Sequence, residues 1–181
     1  MKALVQEKGP LGEDVSGEYY SQIASALDFV HNQLHLVHRS IKLNNIYLHH
    51  NYCKVSDFGF AKCFWDFTNN QAILADTIIG TEPYFSPQLI ERVSFNPYAN
   101  DVWASGVMLF AMLNNRYPFH AGKPRQMLAE QKTKDFLHTR FIKRFSGDLQ
   151  NLITLHFIYD ESKRITMADV LKNSWIRRHT K

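Results

Sequence analysis

The sequence predicts a mainly α-helical protein with one small β-hairpin. Between residues 13 and 33, apolar side chains recur every three or four positions, which places them on one face of an amphipathic helix. Residues 101–113 are apolar on almost every side, as expected of a buried central helix. Between these segments, residues 46–48 and 53–56 favour two short strands that flank a polar turn, a pattern typical of a β-hairpin.

Weaker patterns predict the remaining elements. Residues 124–132 favour a small helix, and apolar residues at 149–157 mark another. Thr166 followed by Asp169 resembles a capping box, which predicts the start of a last helix that buries Trp175. Residues 61–85 show little periodicity and are expected to form a long loop. The apolar face predicted for the first long helix consists of Val15, Tyr19, Ile23, Leu27 and Val30.

Length and composition indicate one globular domain. The 181 residues can bury a substantial core without disulfides, and the 45% hydrophobic content excludes a disordered chain. Cys53 and Cys63 have neither metal-binding spacing nor a disulfide framework, which favours a reducing compartment. The longest apolar run, residues 102–113, is too short to span a bilayer, and the N-terminus lacks the pattern of a secretory signal. We therefore expect a cytoplasmic protein with no membrane partner.

The distribution of charge argues against a nucleic-acid partner. The formal net charge is +4, but the Lys and Arg residues are spread along the chain. The densest basic patch is residues 175–181. Because basic residues commonly complement the dipole at a helix end, we expect that role for the patch rather than binding of nucleic acid.

The predicted hairpin places two oxygen-bearing side chains at its open end. Folding the chain about Asn51 pairs Asn45 with Asp57, each six residues from the tip. An amide oxygen beside a carboxylate is a hard-oxygen pair suited to Mg²⁺. The hairpin alone agrees equally well with a surface hairpin that has polar ends, so the flanking residues decide between the two readings.

Those flanking residues form two motifs that resemble protein kinases. The catalytic-loop motif and the metal-binding motif of that family are matched by His38-Arg39-x-x-Lys42-x-x-Asn45 and Asp57-Phe58-Gly59. Lys42 is similar to the serine/threonine branch. In the family, the residue at the position of Ser40 is Asp, which accepts the proton of the substrate hydroxyl. The resemblance therefore implies kinase metal-binding residues without the catalytic base.

The resemblance continues along the rest of the chain. Residues 57–88 resemble an activation segment, with Gln88 where the family has Glu. Asp101 is implied to anchor the backbone of the catalytic loop, and Arg164 is implied to be the partner of residue 88. Gln88 cannot form an ion pair, but its amide can hydrogen-bond a guanidinium.

A phosphorylation site is also implied. Thr77 stands four residues before Thr81, which is the spacing of the family's activation-loop phosphothreonine, and Arg39 would pair with the phosphate. Because little catalytic machinery remains to be switched, we favour an unmodified Thr77.

The N-terminal lobe of the family has no counterpart in the sequence. There is no G-x-G-x-x-G loop and no Val-Ala-x-Lys strand ahead of the first long helix. The resemblance therefore implies a single truncated domain over 1–181, a kinase C-terminal lobe with the N-terminal lobe absent. Tyr47 and Phe58 would border the nucleotide, and Tyr47 replaces a smaller aliphatic residue under the adenine ring. ATP and Mg²⁺ are consequently expected to bind weakly or not at all.

Two residue roles stay open at this stage. Asn45 and Asp57 either hold Mg²⁺ or persist as structural hydrogen-bonding residues. Lys42 would contact the transferred phosphate in an active relative, and here we favour a solvated lysine.

Two functions follow from the resemblance. The first is a catalytically inactive kinase-like protein that binds a protein partner, either another kinase or a structural assembly of sperm. Sperm is suggested because residues 8–15 and 55–62 look most like testis-specific serine kinases. The alternative is a fragment of a serine/threonine kinase that phosphorylates proteins with ATP and Mg²⁺ when complete. The surface around Tyr47 and Phe58 is expected to be apolar and exposed, which favours the first.

Overall fold

Most of the regular structure is helical, which confirms the predicted mainly α-helical class. The computed structural model describes residues 1–133, 141 and 145–180. The helices of this part are α1 (Lys2–Lys8), α2 (Glu13–Asn32), α3 (Pro87–Glu91), α4 (Pro97–Asn114), α5 (Pro124–Thr133), α6 (Gly147–His156), α7 (Met167–Lys172) and α8 (Ser174–His179). Short 3-10 turns occupy Leu43–Asn45, Phe58–Phe60 and Glu82–Tyr84. None of the helices in the described ranges is long and apolar enough to cross a membrane.

Helix α4 is the centre of the core. It begins where the Asn96 side chain accepts hydrogen bonds from the backbone nitrogens of Tyr98 and Ala99, and Pro97 occupies its first turn. Every residue from 99 to 114 is buried, in agreement with the apolar pattern. The Trp103 ring stacks on Phe119 at 5.6 Å between centroids, and other helices pack around this pair.

Helix α2 confirms the predicted helix and buries most of the predicted face, with the exception of Val15. Tyr20, Ile23 and Leu27 are fully buried, whereas Val15 is 44% exposed. The difference comes from α8, which packs against the start of α2 where Gly17 has no side chain. A Cβ on Gly17 would lie 2.4 Å from the ring of His179. Tertiary packing of a small residue thus sets the buried face, and local periodicity could not show it.

The last predicted helix is divided into two. Asn173 ends α7 and also begins α8, because its side chain accepts a hydrogen bond from the backbone nitrogen of Trp175. Basic residues 177–179 occupy the last turn of α8, where they face the negative end of its dipole. Lys181, part of the predicted basic patch, lies outside the described residues.

The part of the chain that the structure describes has three small antiparallel sheets, one of which is the predicted hairpin. They pair β1 (Leu36–Val37) with β4 (Lys62–Cys63), β2 (Ile46–His49) with β3 (Tyr52–Val55), and β5 (Trp65–Asp66) with β6 (Gln71–Ala72). The strands β4, β5 and β6 fall in the segment expected to be a loop. Their two-residue lengths are too short to give a periodic signal.

The β2–β3 hairpin is shifted by one residue from the predicted register. Its turn consists of His50 and Asn51, which have positive φ angles of 45° and 67°. Two-residue turns with positive φ match the twist of the strands, so they are favoured over the wider turn assumed from sequence. Ile46 therefore pairs with Val55, and the Asn45 carbonyl accepts from the nitrogen of Ser56 rather than facing Asp57. The pairing of Asn45 with Asp57 by counting was wrong.

A buried polar network joins α2, α4 and α6. His156 donates from Nδ1 to the Leu152 carbonyl at 2.8 Å, so its Nε2 accepts from the Tyr20 hydroxyl at 2.6 Å. The Tyr20 oxygen also lies 2.9 Å from Ser105 Oγ. Burial lowers the pKa of His156 to about 4 and raises the pKa of Tyr20, so both side chains are neutral near pH 7.

Gly106 allows α6 to approach α4 at this network, and Gly106→Ala should destabilise the fold. An added Cβ would lie 2.5 Å from the Cβ of His156, which is fixed by its helix. Overpacking of this kind costs about 1–3 kcal/mol, to be measured by urea unfolding. Gly147→Ala is the matched control, because no atom lies within 4 Å of its added Cβ. Equal unfolding midpoints for the two variants would contradict this account of the packing.

Candidate functional site

The loop after β1 is held by the buried carboxylate of Asp101 in α4. Its Oδ2 accepts from the backbone nitrogen of His38 at 2.7 Å, and its Oδ1 accepts from that of Arg39 at 3.0 Å. His31 of α2 donates from Nε2 to the same carboxylate at 3.1 Å. Arg39 has a φ of 62°, a left-handed conformation that is unfavourable for a residue with a side chain. The two charge-assisted bonds from Asp101 offset that strain.

His38 connects this loop to the segment after the hairpin. Its ring is fully buried, donates from Nε2 to the Ser56 carbonyl at 2.9 Å and accepts at Nδ1 from the backbone nitrogen of Ser40 at 3.2 Å. Because a carbonyl only accepts and a backbone nitrogen only donates, these partners require the proton on Nε2. The ring also packs on Phe58 at 4.6 Å between centroids.

Ser40, Asn45 and Asp57 come together at the end of the hairpin. Asn45 Nδ2 lies 2.7 Å from the Ser40 carbonyl, 3.0 Å from Ser40 Oγ and 3.0 Å from Asp57 Oδ2. Ser40 Oγ lies 3.5 Å from the same carboxylate oxygen. The Asn45 amide therefore presents its nitrogen to Asp57, not the oxygen that the counting argument placed there. The Ser40 carbonyl sets this orientation, because it can only accept a hydrogen bond.

The oxygen atoms of Asn45 and Asp57 suit Mg²⁺ only if further ligands complete its coordination shell. Asp57 supplies a carboxylate, and Asn45 supplies an amide oxygen on the opposite branch from its bonded nitrogen. Protein Mg²⁺ sites often use one or two carboxylates and complete the octahedron with water and phosphate oxygens. Within the described ranges, no group of three or more His, Cys, Asp or Glu residues is arranged to hold a metal ion.

Tyr47 and Phe58 lie at the surface. Tyr47 is 62% exposed on β2, and Phe58 is 42% exposed although its ring contacts His38. The hairpin register puts Tyr47 opposite Lys54 and His49 opposite Tyr52, so these four exposed side chains share one face. The other face of the hairpin, which includes Ile46 and Leu48, packs against the core.

Lys42 and Arg39 each have a hydrogen-bond partner in the folded chain. Lys42 Nζ donates to Thr81 Oγ1 at 3.2 Å, so it links the loop to residue 81 rather than being solely solvated. Arg39 Nε donates to the Phe60 carbonyl at 2.6 Å. The hydroxyl of Thr77 donates to Asp76 at 3.2 Å. The structure thus brings Lys42 and Thr81 together, and it gives Arg39 and Thr77 separate partners.

Gln88 and Arg164 do meet, through an amide hydrogen bond. The Arg164 guanidinium is almost fully buried and donates from Nη2 to Gln88 Oε1 at 3.1 Å. Gln88 in turn donates from Nε2 to the Tyr159 carbonyl at 2.7 Å. Burial lowers the pKa of Arg164 to about 10, and the guanidinium packs over the Trp103 ring at 4.9 Å. The amide thus provides both an acceptor and a donor where a carboxylate could only accept.

Comparison with known proteins identifies the family. The protein kinase domain matches residues 1–176, which is nearly the whole chain. The chain belongs to the protein kinase domain family.

Its relatives include serine/threonine kinases from several kingdoms. It is 30% identical over 178 residues to testis-specific serine/threonine-protein kinase 2 of Mus musculus, covering 96% of this chain and 48% of that protein. It is 34% identical over 175 residues to CBL-interacting serine/threonine-protein kinase 2 of Arabidopsis thaliana, covering 94% and 36%. It is 31% identical over 187 residues to the Aurora kinase of Saccharomyces cerevisiae, covering 99% and 46%. The chain therefore spans about half the length, or less, of these kinase relatives.

Sequence reasoning missed one residue of this site and one aromatic cluster elsewhere in the fold. His31 reads as another member of the buried face of α2, and only the tertiary structure shows its bond to Asp101. The aromatic cluster surrounds His35, whose ring stacks on Trp65 at 5.1 Å and meets Phe67 edge-on at 5.2 Å. The Tyr98 hydroxyl donates to the His35 carbonyl at 2.8 Å. A concentration of aromatic residues at 64–67 was the available signal.

Asp101→Asn should loosen the loop at His38 and Arg39. The new amide keeps one acceptor oxygen and directs an NH₂ group at a donor, so charge-assisted bonds are lost at a cost of about 2–4 kcal/mol. Urea unfolding measures the loss, and hydrogen exchange of the His38 and Arg39 amides locates it. Asp148→Asn is the control, since its exposed pair with Arg178 contributes at most about 1 kcal/mol. Unchanged protection of both amides in Asp101→Asn would contradict the anchoring role.

Proposed function

We propose that this chain is a catalytically impaired serine/threonine protein kinase-like protein that acts by binding protein. The observation that carries the proposal is Ser40 at the position of the family's catalytic Asp. A general base must hold a proton acceptor whose pKa lies near the working pH, and a serine hydroxyl does not. In its place Ser40 Oγ lies 3.0 Å from Asn45 Nδ2 and 3.5 Å from Asp57 Oδ2, which is a structural role.

Residues 1–181 contain no counterpart of the parts that orient the nucleotide in the family, and for the activity of these residues that is the larger defect in this proposal. Loss of a general base costs about 10²–10⁴-fold in rate. Positioning of the reactants can lower the activation barrier by roughly 7–11 kcal/mol, and loss of the parts that orient the nucleotide reduces this contribution. We therefore propose that residues 1–181 correspond to the C-terminal lobe of the kinase domain, with an activation segment at 57–88.

The partner-binding surface in this proposal is the exposed face of the β2–β3 hairpin together with Phe58. Tyr52 is 69% exposed and Tyr47 is 62% exposed on the same face, and Phe58 follows the hairpin directly. Exposed apolar patches on soluble proteins commonly mark binding sites. The partner would be a cytoplasmic protein, either another kinase or, by likeness to testis-specific relatives, a structural assembly of sperm. Neither nucleic acid nor membrane is part of the proposal.

Removing the two exposed tyrosines should reduce apolar binding at this surface. The double variant Tyr47→Ser, Tyr52→Ser leaves the core face of the hairpin intact, and it should bind an apolar fluorescent dye less than wild type. Size-exclusion chromatography should show less self-association or partner retention as well. Phe67→Ser is the matched control, because Phe67 is also 69% exposed but lies between β5 and β6. A wild-type chain that is monodisperse and binds no dye would remove the support for this surface.

The alternative function is that of a piece of an active serine/threonine kinase. It is favoured by the coverage of the relatives, of which this chain spans about half or less. In that case Asn45 and Asp57 would hold Mg²⁺, which supplies positive charge to the phosphates, and Lys42 would contact the transferred phosphate. Transcript sequence upstream of Met1 that encodes a Gly-rich loop and a strand Lys would favour this alternative.

Restoring the base alone should not restore activity. Ser40→Asp returns a carboxylate, but the nucleotide still lacks the parts that orient it, so neither wild type nor this variant should transfer phosphate above background. The assay uses Mg-ATP and a general protein substrate, with Asp57→Ala as the background control and thermal unfolding as a measure of nucleotide binding. Turnover by Ser40→Asp would overturn the ranking of the two defects. Turnover by wild type would favour the alternative function.

A further inference from the structure

Strand β6 and the residues that follow it lie at the edge of a small sheet. On the inner side β6 pairs with β5, and the backbone nitrogen of Ile73 continues this pairing by donating to the Phe64 carbonyl at 2.7 Å. Ala75 then exchanges two backbone hydrogen bonds with Phe95, at 2.8 and 2.9 Å. The inner side of residues 71–75 is therefore paired with the rest of the fold.

The outer side of this segment has no partner in the part of the chain that the structure describes. Successive residues of an extended strand direct their backbone N–H and C=O groups to opposite edges. Because Ile73 and Ala75 bond inward, Ala72 and Leu74 present their groups outward. No hydrogen bond reaches the backbone of Leu74 from any described residue. The outward N–H and C=O groups of Ala72 and Leu74 are named the β6 edge.

Side chains on both faces of the strand are exposed along the β6 edge. Ile73 is 48% exposed and Leu74 is 59% exposed. Neighbouring residues of a strand point to opposite faces, so both faces are open to solvent here. Residues 67–75 contain neither a charged residue nor Pro. Natural edge strands are usually protected by charges, by Pro or by a covering element, so an edge without charge or Pro favours pairing with another strand.

A second copy of this chain fits the β6 edge because the segment is self-complementary. Two antiparallel copies related by a twofold axis at Ile73 bring Ala72 of each copy opposite Leu74 of the other. Each of these opposed pairs can exchange both N–H···O bonds. Since the segment carries no charge, the two copies bring no like charges together along the strand.

The same register also brings complementary side chains together. It places Asn70 of each copy beside Asp76 of the other. Asp76 Oδ1 accepts from the Thr77 hydroxyl at 3.2 Å, whereas its Oδ2 and the Asn70 amide have no hydrogen-bond partner among the described residues. An amide donor matches a carboxylate oxygen, and the twofold axis forms the pair twice. A second copy thus supplies by symmetry what a different protein would have to supply by its own sequence.

We propose that this protein forms a twofold dimer in which the β6 edges of two copies pair as antiparallel strands in register at Ile73. Pairing uses the open edge of each copy, so the assembly closes at two chains. A contact between two short strands is smaller than a standard protein interface, so the dimer is weak and reversible. The β6 edge shares no residue with the partner surface of the β2–β3 hairpin, which stays exposed in the dimer.

Sedimentation equilibrium of the full chain over a wide range of concentrations tests the dimer. Wild type should pass from monomer to dimer without larger species. A chain that stays monomeric up to its solubility limit would overturn the proposal and leave the edge to solvent or to a strand of a different protein. Growth beyond a dimer would contradict the twofold closure.

Leu74→Pro tests the backbone pairing. Proline has no N–H, so each copy loses one outward donor, and the dissociation constant should rise about tenfold or more. Leu74→Ala is the matched control, because it shortens the side chain but keeps the N–H and should stay close to wild type. The urea midpoint of Leu74→Pro should match that of wild type, since the Leu74 nitrogen has no partner among the described residues. Equal weakening by both variants would contradict backbone pairing.

Ile73→Lys tests the position of the axis. The register places this residue opposite itself, so two ammonium groups would repel each other and dissociate the dimer, and added salt should partly restore it. Val15→Lys is the control, because Val15 is 44% exposed at the start of α2 and receives the same charge. A dimer that tolerates Ile73→Lys as well as Val15→Lys would overturn the register.

Cross-linking tests the register without relying on the stability of those variants. In a Cys63→Ser background, which removes the exposed thiol, Ile73→Cys should form a disulfide between copies. Directly opposed residues of an unbonded antiparallel pair have Cα atoms about 4.5 Å apart, within reach of a disulfide. Two copies of Leu74→Cys lie out of register, beyond the limit of about 7 Å, so they should not cross-link. Equal cross-linking at both positions would indicate random collision and overturn the proposal.

These tests are separate from those of the proposed function. The double variant Tyr47→Ser, Tyr52→Ser leaves the β6 edge intact, so it should dimerise like wild type even where it binds less dye. Leu74→Pro and Ile73→Lys leave the β2–β3 hairpin intact and should keep its dye binding. Loss of the dimer in the tyrosine variant would contradict the assignment of the interface to β6.

Discussion

The buried carboxylate of Asp101 is the interaction on which the rest of the structure depends. It sits in α4, whose residues from 99 to 114 are all buried, and it accepts from two consecutive backbone nitrogens and one imidazole. A charge in such a place is stable only while its donors remain, because an unpaired buried charge costs several kcal/mol. The three donors come from α2 and from the loop that enters the hairpin. One side chain thereby fixes the position of His31, His38 and Arg39 together.

Gln88 and Ser40 differ from the residues of the kinase pattern, and both side chains are hydrogen-bonded in the fold. At Gln88 an amide accepts from Arg164 and donates to the Tyr159 carbonyl, so each half of the side chain has a partner. At Ser40 a hydroxyl takes the place of a carboxylate and joins Asn45 and Asp57. Since buried polar groups that are satisfied need no ligand to stabilise them, the fold tolerates both substitutions. The neutral side chains at both positions thus fit the fold through hydrogen bonds.

Sequence reasoning was reliable for elements whose pattern repeats over many residues. It was poor where a single contact determines the register or the buried face of an element. Helices α2 and α4 were predicted because their apolar residues repeat over several turns. The hairpin existed as predicted, but the positive φ angles of His50 and Asn51 shifted its register by one residue. The exposed Val15 and the contact between Gly17 and His179 are set by α8, which is distant in sequence. His31 at Asp101 was missed for the same reason.

The contacts of Asn45 connect the observed register of the β2–β3 hairpin with the proposed loss of catalysis. Its amide nitrogen is shared among the Ser40 carbonyl, Ser40 Oγ and Asp57 Oδ2, so Asp57 has a neutral donor in the folded protein without a cation. A carboxylate that is already hydrogen-bonded gains less from a metal than one that is bare, because part of its solvation has been replaced. The proposed protein-binding role uses neither nucleotide nor Mg²⁺ and therefore agrees with this smaller gain.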